Sequence, residues 1–332
     1  MALAKRRPTS VDVARSAGVS QATVSLVFSG SAAGRVSEAT RARVKEAADA
    51  LGYRPHAAAR TLRLGRANTI ALVVPDIRNP FFAAVLHGAS EAARQAGVTV
   101  VLLDVENHRR QWQARARAAM AAGALDGLLL SSLDPPTSRA DLKSRLVLLD
   151  AGRSTRMPSV KLDVQGGTTA ALRHLLDLGH RRIAHLGSSI RLPTFIARED
   201  AYHGALRKAG LGALDMYAPL DPEAARPTAR DLLEQDPTAV FCDDDLLAAG
   251  LYKAARDIGL SIPGDVSVVG FDDIALARLL EPELTTVAVP AERLGADGVR
   301  QLLALLNGTP PTARAALALK LIVRGSTAPP RL

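Results

Sequence analysis

Cysteine is almost missing from the 332 residues: Cys242 stands alone. A single thiol cannot close an internal disulfide or assemble a zinc or iron-sulfur ligand set. Long apolar runs are missing as well. Residues 69–74 and 128–130 are far shorter than the ~18 residues a membrane-crossing helix needs, and 1–9 is charged where a secretory leader has its apolar stretch. Also lacking are a Gly-rich phosphate loop, a G-x-G-x-x-G turn after a strand, a G-x-S-x-G elbow and a cluster with metal-ligand spacing. These absences predict a cytoplasmic protein without membrane, metal or cofactor. They favour binding over catalysis, although carboxylates in a cleft could act as acid and base, which keeps an enzyme as the main rival class.

What is present is unevenly placed. The net charge is +9, and residues 1–66 hold 12 Lys and Arg against 4 Asp and Glu, a local +8. The other 266 residues are nearly neutral. Cations gathered at one end of a neutral body suit contact with a phosphate backbone, and a basic solvated tail is the plain alternative.

Helix signals within that stretch decide between the two. Thr9 followed by Asp12 makes a capping box, and Val13, Ala14 and Ala17 form an apolar stripe ending at Gly18. Ser20 caps a second helix with Val24, Val27 and Phe28 on one face and Gln21, Ala22, Ser25 and Ser29 on the other. Ser37 starts a third, whose Val44, Ala47, Ala48 and Leu51 recur at helical spacing before Gly52. Three stripes can share one core. The tight 18–20 turn gives the spacing of a helix-turn-helix, whose second helix enters the major groove N-terminus first. Gln21 then suits a base edge, Ser25 a base or phosphate, and Ala22 a thymine methyl. Leu26 also lies toward the outer side, where a lone exposed leucine needs no special explanation.

The ungapped stretch 11–25, VDVARSAGVSQATVS, with Arg35-Val36-Ser37 and Leu51-Gly52-Tyr53-Arg54-Pro55, resembles the DNA-binding head of the lac repressor family. Further matches run almost to the C-terminus. The resemblance implies DNA contacts by Thr9, Ser20, Gln21, Ala22, Thr23, Ser25, Leu26 and Arg35. It also implies that 55–66 is a hinge helix which folds on DNA, with contacts by His56, Ala59 and Leu62, the last as an apolar wedge in the minor groove. The segment is too short to hold as an isolated helix in water. Leu26 stands where the family usually has an arginine, so an altered base preference within each half-site is expected.

Beyond the hinge, apolar runs at 69–74, 98–103, 127–131, 146–149, 182–186, 239–242 and 266–270 alternate with helical stretches, the pattern of parallel sheets with crossover helices. Such sheets bind ligands beyond the carboxyl ends of their strands. The polar residues there are Asp76, Asn79, Ser131, Ser132, Asp150, Ser188, Asp244, Asp245, Asp272 and Asp273. Asn79, Asp163, Asp244 and Asp272 read equally well as helix caps. The 112, 116, 119, 120 stripe reads as core, and His174, His180 and His185 read as surface residues without a role.

The resemblance extends to this body. It implies an all-α helix-turn-helix head plus an α/β two-lobed periplasmic-binding-protein-like (type I) effector domain. The expected divisions are 1–54 for the head, 55–66 for the hinge, 67–160 with about 289–314 for one lobe, and 161–288 with about 315–332 for the other. It points to Asp76, Asn79, Phe81, Phe82, Ser131, Asp150, Arg198, Asp244 and Asp272 as effector contacts. The family usually reads Asn-Asp at 244–245, so the carboxylate of Asp244 replaces an amide and favours donors on the ligand. A stacking aromatic is frequent near 220, where this chain has Leu220. A sugar or polyol is the expected effector, a nucleoside the alternative. The expected partner is double-stranded operator DNA, read by a homodimer because one head covers one half-site. No leucine heptads follow 324–327 to support a tetramer. A transport or chemosensory binding protein with the same body is the remaining rival, opposed by the basic head.

Overall fold

The computed structural model describes residues 8–28, 34–54, 66–105, 112–133, 145–150, 157–309 and 315–331. The hinge expectation, with His56, Ala59 and Leu62, lies outside them. Two compact units meet at the 67/68 bond.

The first unit holds α1 (Ser10–Ala17), α2 (Gln21–Phe28) and α3 (Glu38–Leu51). Thr9 and Asp12 form a reciprocal capping box, with the Thr9 N–H donating to Asp12 Oδ2 at 2.8 Å, and Gly18 ends α1 in the left-handed region at φ 65°. Ser20 Oγ accepts from the Thr23 N–H at 3.1 Å and starts α2. Ser37 caps α3, and Gly52 closes it at φ 67°. Val13, Ala14, Ala17, Val24, Val27, Val44, Ala47 and Ala48 form a common core, with Val19, Phe28, Val36 and Tyr53 at its margin. Leu51 departs from the stripe read in the sequence: it is 40% exposed, while Ala47, Ala48 and Tyr53 on either side of it pack on the core.

The second unit contains two sheets. The first has the order β2-β1-β3-β4-β5, all parallel, from β1 (Thr69–Val74), β2 (Thr99–Asp104), β3 (Gly127–Ser131), β4 (Leu146–Leu149) and β5 (Ser159–Val160). Between these strands lie α4 (Pro80–Gln95) and α5 (Trp112–Ala121). Trp112, Ala116 and Met120 pack under the sheet as core. After β5 the chain enters the second sheet through α6 (Val164–Asp177), β6 (Ile183–Ser188), α7 (Pro193–Lys208), β7 (Asp215–Ala218) and α8 (Pro222–Leu233). It continues through β8 (Ala239–Cys242), α9 (Asp245–Asp257), β9 (Ser267–Asp272) and β10 (Thr285–Ala288). The helix α10 (Ala291–Leu306) then returns to pack on α4 and the first sheet, and β11 (Lys320–Ile322) goes back to the second.

The second sheet has the order β11-β10-β9-β8-β6-β7, parallel except for β11. The chain therefore crosses between the sheets three times, after β5, after β10 and before β11. Gly88 and Gly295 are where α4 and α10 approach most closely: a Cβ on either would sit 1.9–2.0 Å from a backbone oxygen of the other helix. Seven strands coincide with the apolar runs of the sequence to within two residues at each end. The other four escape that reading: β5 has two residues, β7 and β11 are edge strands with partly exposed side chains, and β10 opens on two threonines. Among the described residues no helix is long and apolar enough to cross a membrane.

Candidate functional site

In the helical unit the outer face of α2 carries Gln21 and Ala22, both exposed, with Thr23, Ser25 and Leu26 half-buried beside them. Gln21 Nε2 donates to Ser10 Oγ at 3.0 Å, so the side chain is held at the junction of α1 and α2. Ser20 and Thr23 share a hydroxyl contact of 2.9 Å at the N-terminus of α2, the end that carries unpaired N–H groups and partial positive charge. Arg35 is exposed just before α3. The Thr9 hydroxyl is committed to Asp12, to which it donates at 2.7 Å.

In the body, the loops at the carboxyl ends of β1, β3, β4, β6, β7, β8 and β9 converge on one cavity of about 250 Å³. Seven of the nine residues proposed from the sequence line it together with two of their neighbours already considered, Ser132 and Leu220: Asp76, Asn79, Phe81, Phe82, Asp150, Asp244 and Asp272. Arg198 makes the eighth. Ser131 does not. Its side chain is wholly buried at the end of β3, and the next residue, Ser132, turns into the cavity because its backbone adopts φ 49°. Successive side chains point to opposite sides of a strand, so a one-residue difference decides which serine faces the cavity.

Arg198, on α7, is 4% exposed. Its guanidinium lies 3.6 Å over the ring of Phe271, donates to the Asp243 carbonyl, and stands 3.6 Å from Asp272. Its Nε has no hydrogen-bond partner. An arginine N–H buried without an acceptor costs free energy. Burial pushes the carboxyl of Asp150 up to about 6, and that of Asp272 well above the usual range, in both cases against the pull of Arg198. Asp244 is raised by the same cause. It also caps α9, accepting from the Leu246 N–H at 2.7 Å, and it accepts from Asn79 Nδ2 at 2.9 Å. Asn79 in turn caps α4 through the Phe81 N–H. For both residues, capping and cavity lining coexist. Asp76 differs: its bidentate pairing with Arg78 holds its carboxyl below the usual range.

Asp245 and Asp273 are structural. Asp245 accepts from Thr286 Oγ1 at 2.6 Å and from the Ile274 N–H, which fixes the loop after β9, and its burial raises it to about 8. Asp273 pairs with Arg324 at 2.6 Å. Asp272 is not a helix cap. It ends β9 at φ 105°, and the 3-10 turn Ala275–Arg278 begins after Ile274.

The chain aligns with known proteins along nearly its whole length. Residues 10–56 match the family described as bacterial regulatory proteins, lacI family, and 172–327 match a periplasmic binding protein-like domain. The repressor CytR of Escherichia coli is 32% identical, with 98% of each chain covered. The ribose operon repressor of Halalkalibacterium halodurans is 35% identical, covering 95% of this chain and 96% of that one. The chain belongs to the lacI family. The lac repressor dimer solved with operator and the anti-inducer ONPF superimposes with a TM-score of 0.87 at 26% identity, covering 97% of this chain and all of that one.

Sequence reasoning about this lacI-family member missed two things. The first is the apolar wall of the cavity, lined by Leu162, Ile190 and Leu192 in loops and by Phe195 in the first turn of α7: an apolar residue in a loop or at a helix start carries no sequence signal that it faces a cavity. The second is His185, read as a surface residue. It is wholly buried between Asp215 and Asp243, with Nδ1 and Nε2 each 3.0 Å from a carboxylate oxygen, and it stacks on Phe241. Burial alone would lower its pKa, but the two carboxylates raise it to about 9. Asp243 also accepts from the Ser188 N–H at 2.9 Å, and its carbonyl is the one that receives Arg198. His185 thus holds the segment that aims the cavity arginine. His180 is buried too, bonded to Thr238 and to the carbonyl of Ala328. His174 is half-buried against Thr327. Among the described residues no group of three or more potential ligands could hold a metal ion.

Proposed function

We propose that this chain is a cytoplasmic transcriptional repressor that grips a near-palindromic operator as a homodimer and responds to a small hydroxyl-rich effector. Relatives spanning its full length are named as repressors, one of them of a ribose operon, and its fold matches a repressor solved as a dimer on operator. In this reading α2 enters the major groove, Gln21, Ala22, Ser25 and Leu26 meet base edges, and Ser20, Thr23 and Arg35 meet the backbone. Thr9 contributes by positioning the first turn of α1. The effector lies between a lobe of 67–160 with about 289–314 and a lobe of 161–288 with about 315–332, bridged by Asn79 and Asp244.

The observation that carries the effector assignment is Arg198: buried, stacked on Phe271, with one N–H lacking an acceptor among the described residues, and lining a cavity rich in acceptors. A sugar or polyol hydroxyl both accepts from a guanidinium N–H and donates to Asp150, Asp244 or Asp272. Ligand occupancy changes the balance between two arrangements of the lobes, and operator affinity follows by linkage. The same cavity does its work by binding, without turnover.

The test uses the full chain and a DNA fragment from upstream of its own reading frame. Retardation that depends on fragment sequence, and that changes on adding one of a panel of sugars, supports the reading. Arg198→Ala should keep the retardation and lose the response. Sequence-independent retardation alone, or an unchanged response in Arg198→Ala, removes it.

A further inference from the structure

The charges lining the cavity do not balance. Among the described residues, five carboxylates face it, Asp76, Asp150, Asp221, Asp244 and Asp272, against two cations, Arg78 and Arg198. Asp76 and Arg78 neutralise each other at 2.8 Å near the surface. Arg198 stands against Asp272. Asp221 is exposed and spends its side chain on the first N–H groups of α8. Among the described residues, Asp150 and Asp244 remain, 7% and 1% exposed, and share with Asp272 the pull of the one guanidinium of Arg198. The hollow beside the cavity adds Lys161, but it adds Asp163 and Asp200 with it.

Neutral partners already bond these two carboxylates. Asp244 accepts one N–H from Leu246 and one from Asn79, and Asp150 is bonded by Thr194. Hydrogen bonds from neutral donors satisfy lone pairs, and one guanidinium shared among three buried carboxylates leaves their charge only partly compensated, which is costly. The raised carboxyls of Asp150 and Asp244 register that cost. A ligand that brings only hydroxyls leaves it in place. One that brings a positive charge removes it.

The same cavity is lined by Arg198, whose Nε has no acceptor among the described residues. The cavity therefore asks for a molecule with a hydroxyl or ring oxygen for the arginine and a cation for the aspartates. At about 250 Å³ it lies near the lower bound of small-molecule sites, roughly 300 Å³, which suits a single sugar ring. Phe81, Phe82 and Phe195 on its walls offer rings against which an ammonium or a C–H face can rest.

We propose that the effector is a protonated amino sugar or amino polyol, with its ammonium received by Asp244 and Asp150 and an oxygen received by Arg198. This rests on the reading of the cavity as the effector site, and it narrows the class from hydroxyl-rich molecules to aminated ones.

Calorimetric titration of the full chain with matched pairs tests it: glucose, galactose and mannose, each beside its 2-amino form and its N-acetylated 2-amino form. N-acetylation keeps the substituent and removes the charge. The expected result is one amine binding at least tenfold tighter than both its hydroxyl and its N-acetyl partners. Asp244→Asn should abolish that preference, while operator retardation reports that the variant is folded. A neutral sugar that binds as tightly as its amine overturns the inference and leaves the effector site standing. If no member of the panel binds, the effector-site reading falls with it.

Discussion

The helical head and the sheet body handle polar groups in opposite ways. In the head the polar residues assigned to contacts stay near water and bond over three residues, Thr9 to Asp12 and Ser20 to Thr23. Among the described residues, eight buried side chains form the core beneath them, with four partly buried ones at its margin. In the body the key groups are buried and bond across the chain: Asn79 meets Asp244 from 165 residues away, and His185 joins Asp215 to Asp243. A surface that meets a polyanion needs donors and cations that water leaves accessible. A cleft that selects a small molecule needs polar groups held without water. Head substitutions should therefore act on DNA affinity or on a small core, whereas body substitutions at buried charges should act on stability.

The largest expected effect is at His185. Replacing it with leucine leaves Asp215 and Asp243 facing each other without their shared cation, and loss of one partner in a buried ionic set costs about 3–5 kcal/mol. Urea unfolding of the body should show that loss, and a change below about 1 kcal/mol would end the claim that buried charge organises this lobe. The pH dependence has a definite sign. The imidazole is raised from 6.5 to about 9 in the folded chain. Its stabilisation is complete below the ordinary value and fades as pH climbs through about 9. The parent should lose urea resistance on the alkaline side, and His185→Leu should not show that loss.

Next comes the head core. Val44 is fully buried, and Val44→Ala removes two methyl groups from a cluster of eight residues, a loss of about 2 kcal/mol. A domain that small has little reserve. Operator retardation should fall at 37 °C while the response of Trp112 fluorescence to ligand persists. Loss of both would show that the two units do not keep separate ledgers of stability.

How much of this was legible in the residues follows the same division. The head was readable because its signals are local: a Thr9/Asp12 box, a glycine at each α1 and α3 end, and three apolar stripes. Most body strands that were readable are interior ones, where burial on both faces demands an unbroken apolar run; the edge strand β2 was readable because its own run is apolar, and the interior β10 was not because it opens on two threonines. Edge strands such as Asp215–Ala218 carry no such demand. Most cavity residues were legible because polar residues follow the strands. Ser131 was mistaken for its neighbour because a left-handed backbone at Ser132 has no sequence signature in a serine. His185 was invisible because its partners Asp215 and Asp243 are neither near it in the chain nor at a recognisable spacing.

A change at Leu26 separates recognition from stability inside the head. Leu26 is half-buried on α2. Leu26→Arg should leave the unfolding midpoint of the head nearly unchanged and move the preferred base by about 1–3 kcal/mol, the range for a bidentate arginine on guanine. Selection of bound sequences from a randomised operator would reveal a new guanine in each half-site. An unchanged selected sequence would place residue 26 off the bases and shift recognition to Gln21, Ala22 and Ser25.

The smallest effect is expected where sequence and structure disagree. The apolar periodicity of α3 assigns Leu51 to the core, and truncating a buried leucine costs about 2–5 kcal/mol. At 40% exposure Leu51 has much of its surface in water already, so Leu51→Ala should cost about 1 kcal/mol. The thermal midpoint of the head reads the difference directly, since Val44→Ala serves as the internal standard for a buried site. If Leu51→Ala equals or exceeds that standard, the residue is covered by something besides the three helices, and its exposure in the isolated unit is a vacancy that the assembled repressor fills.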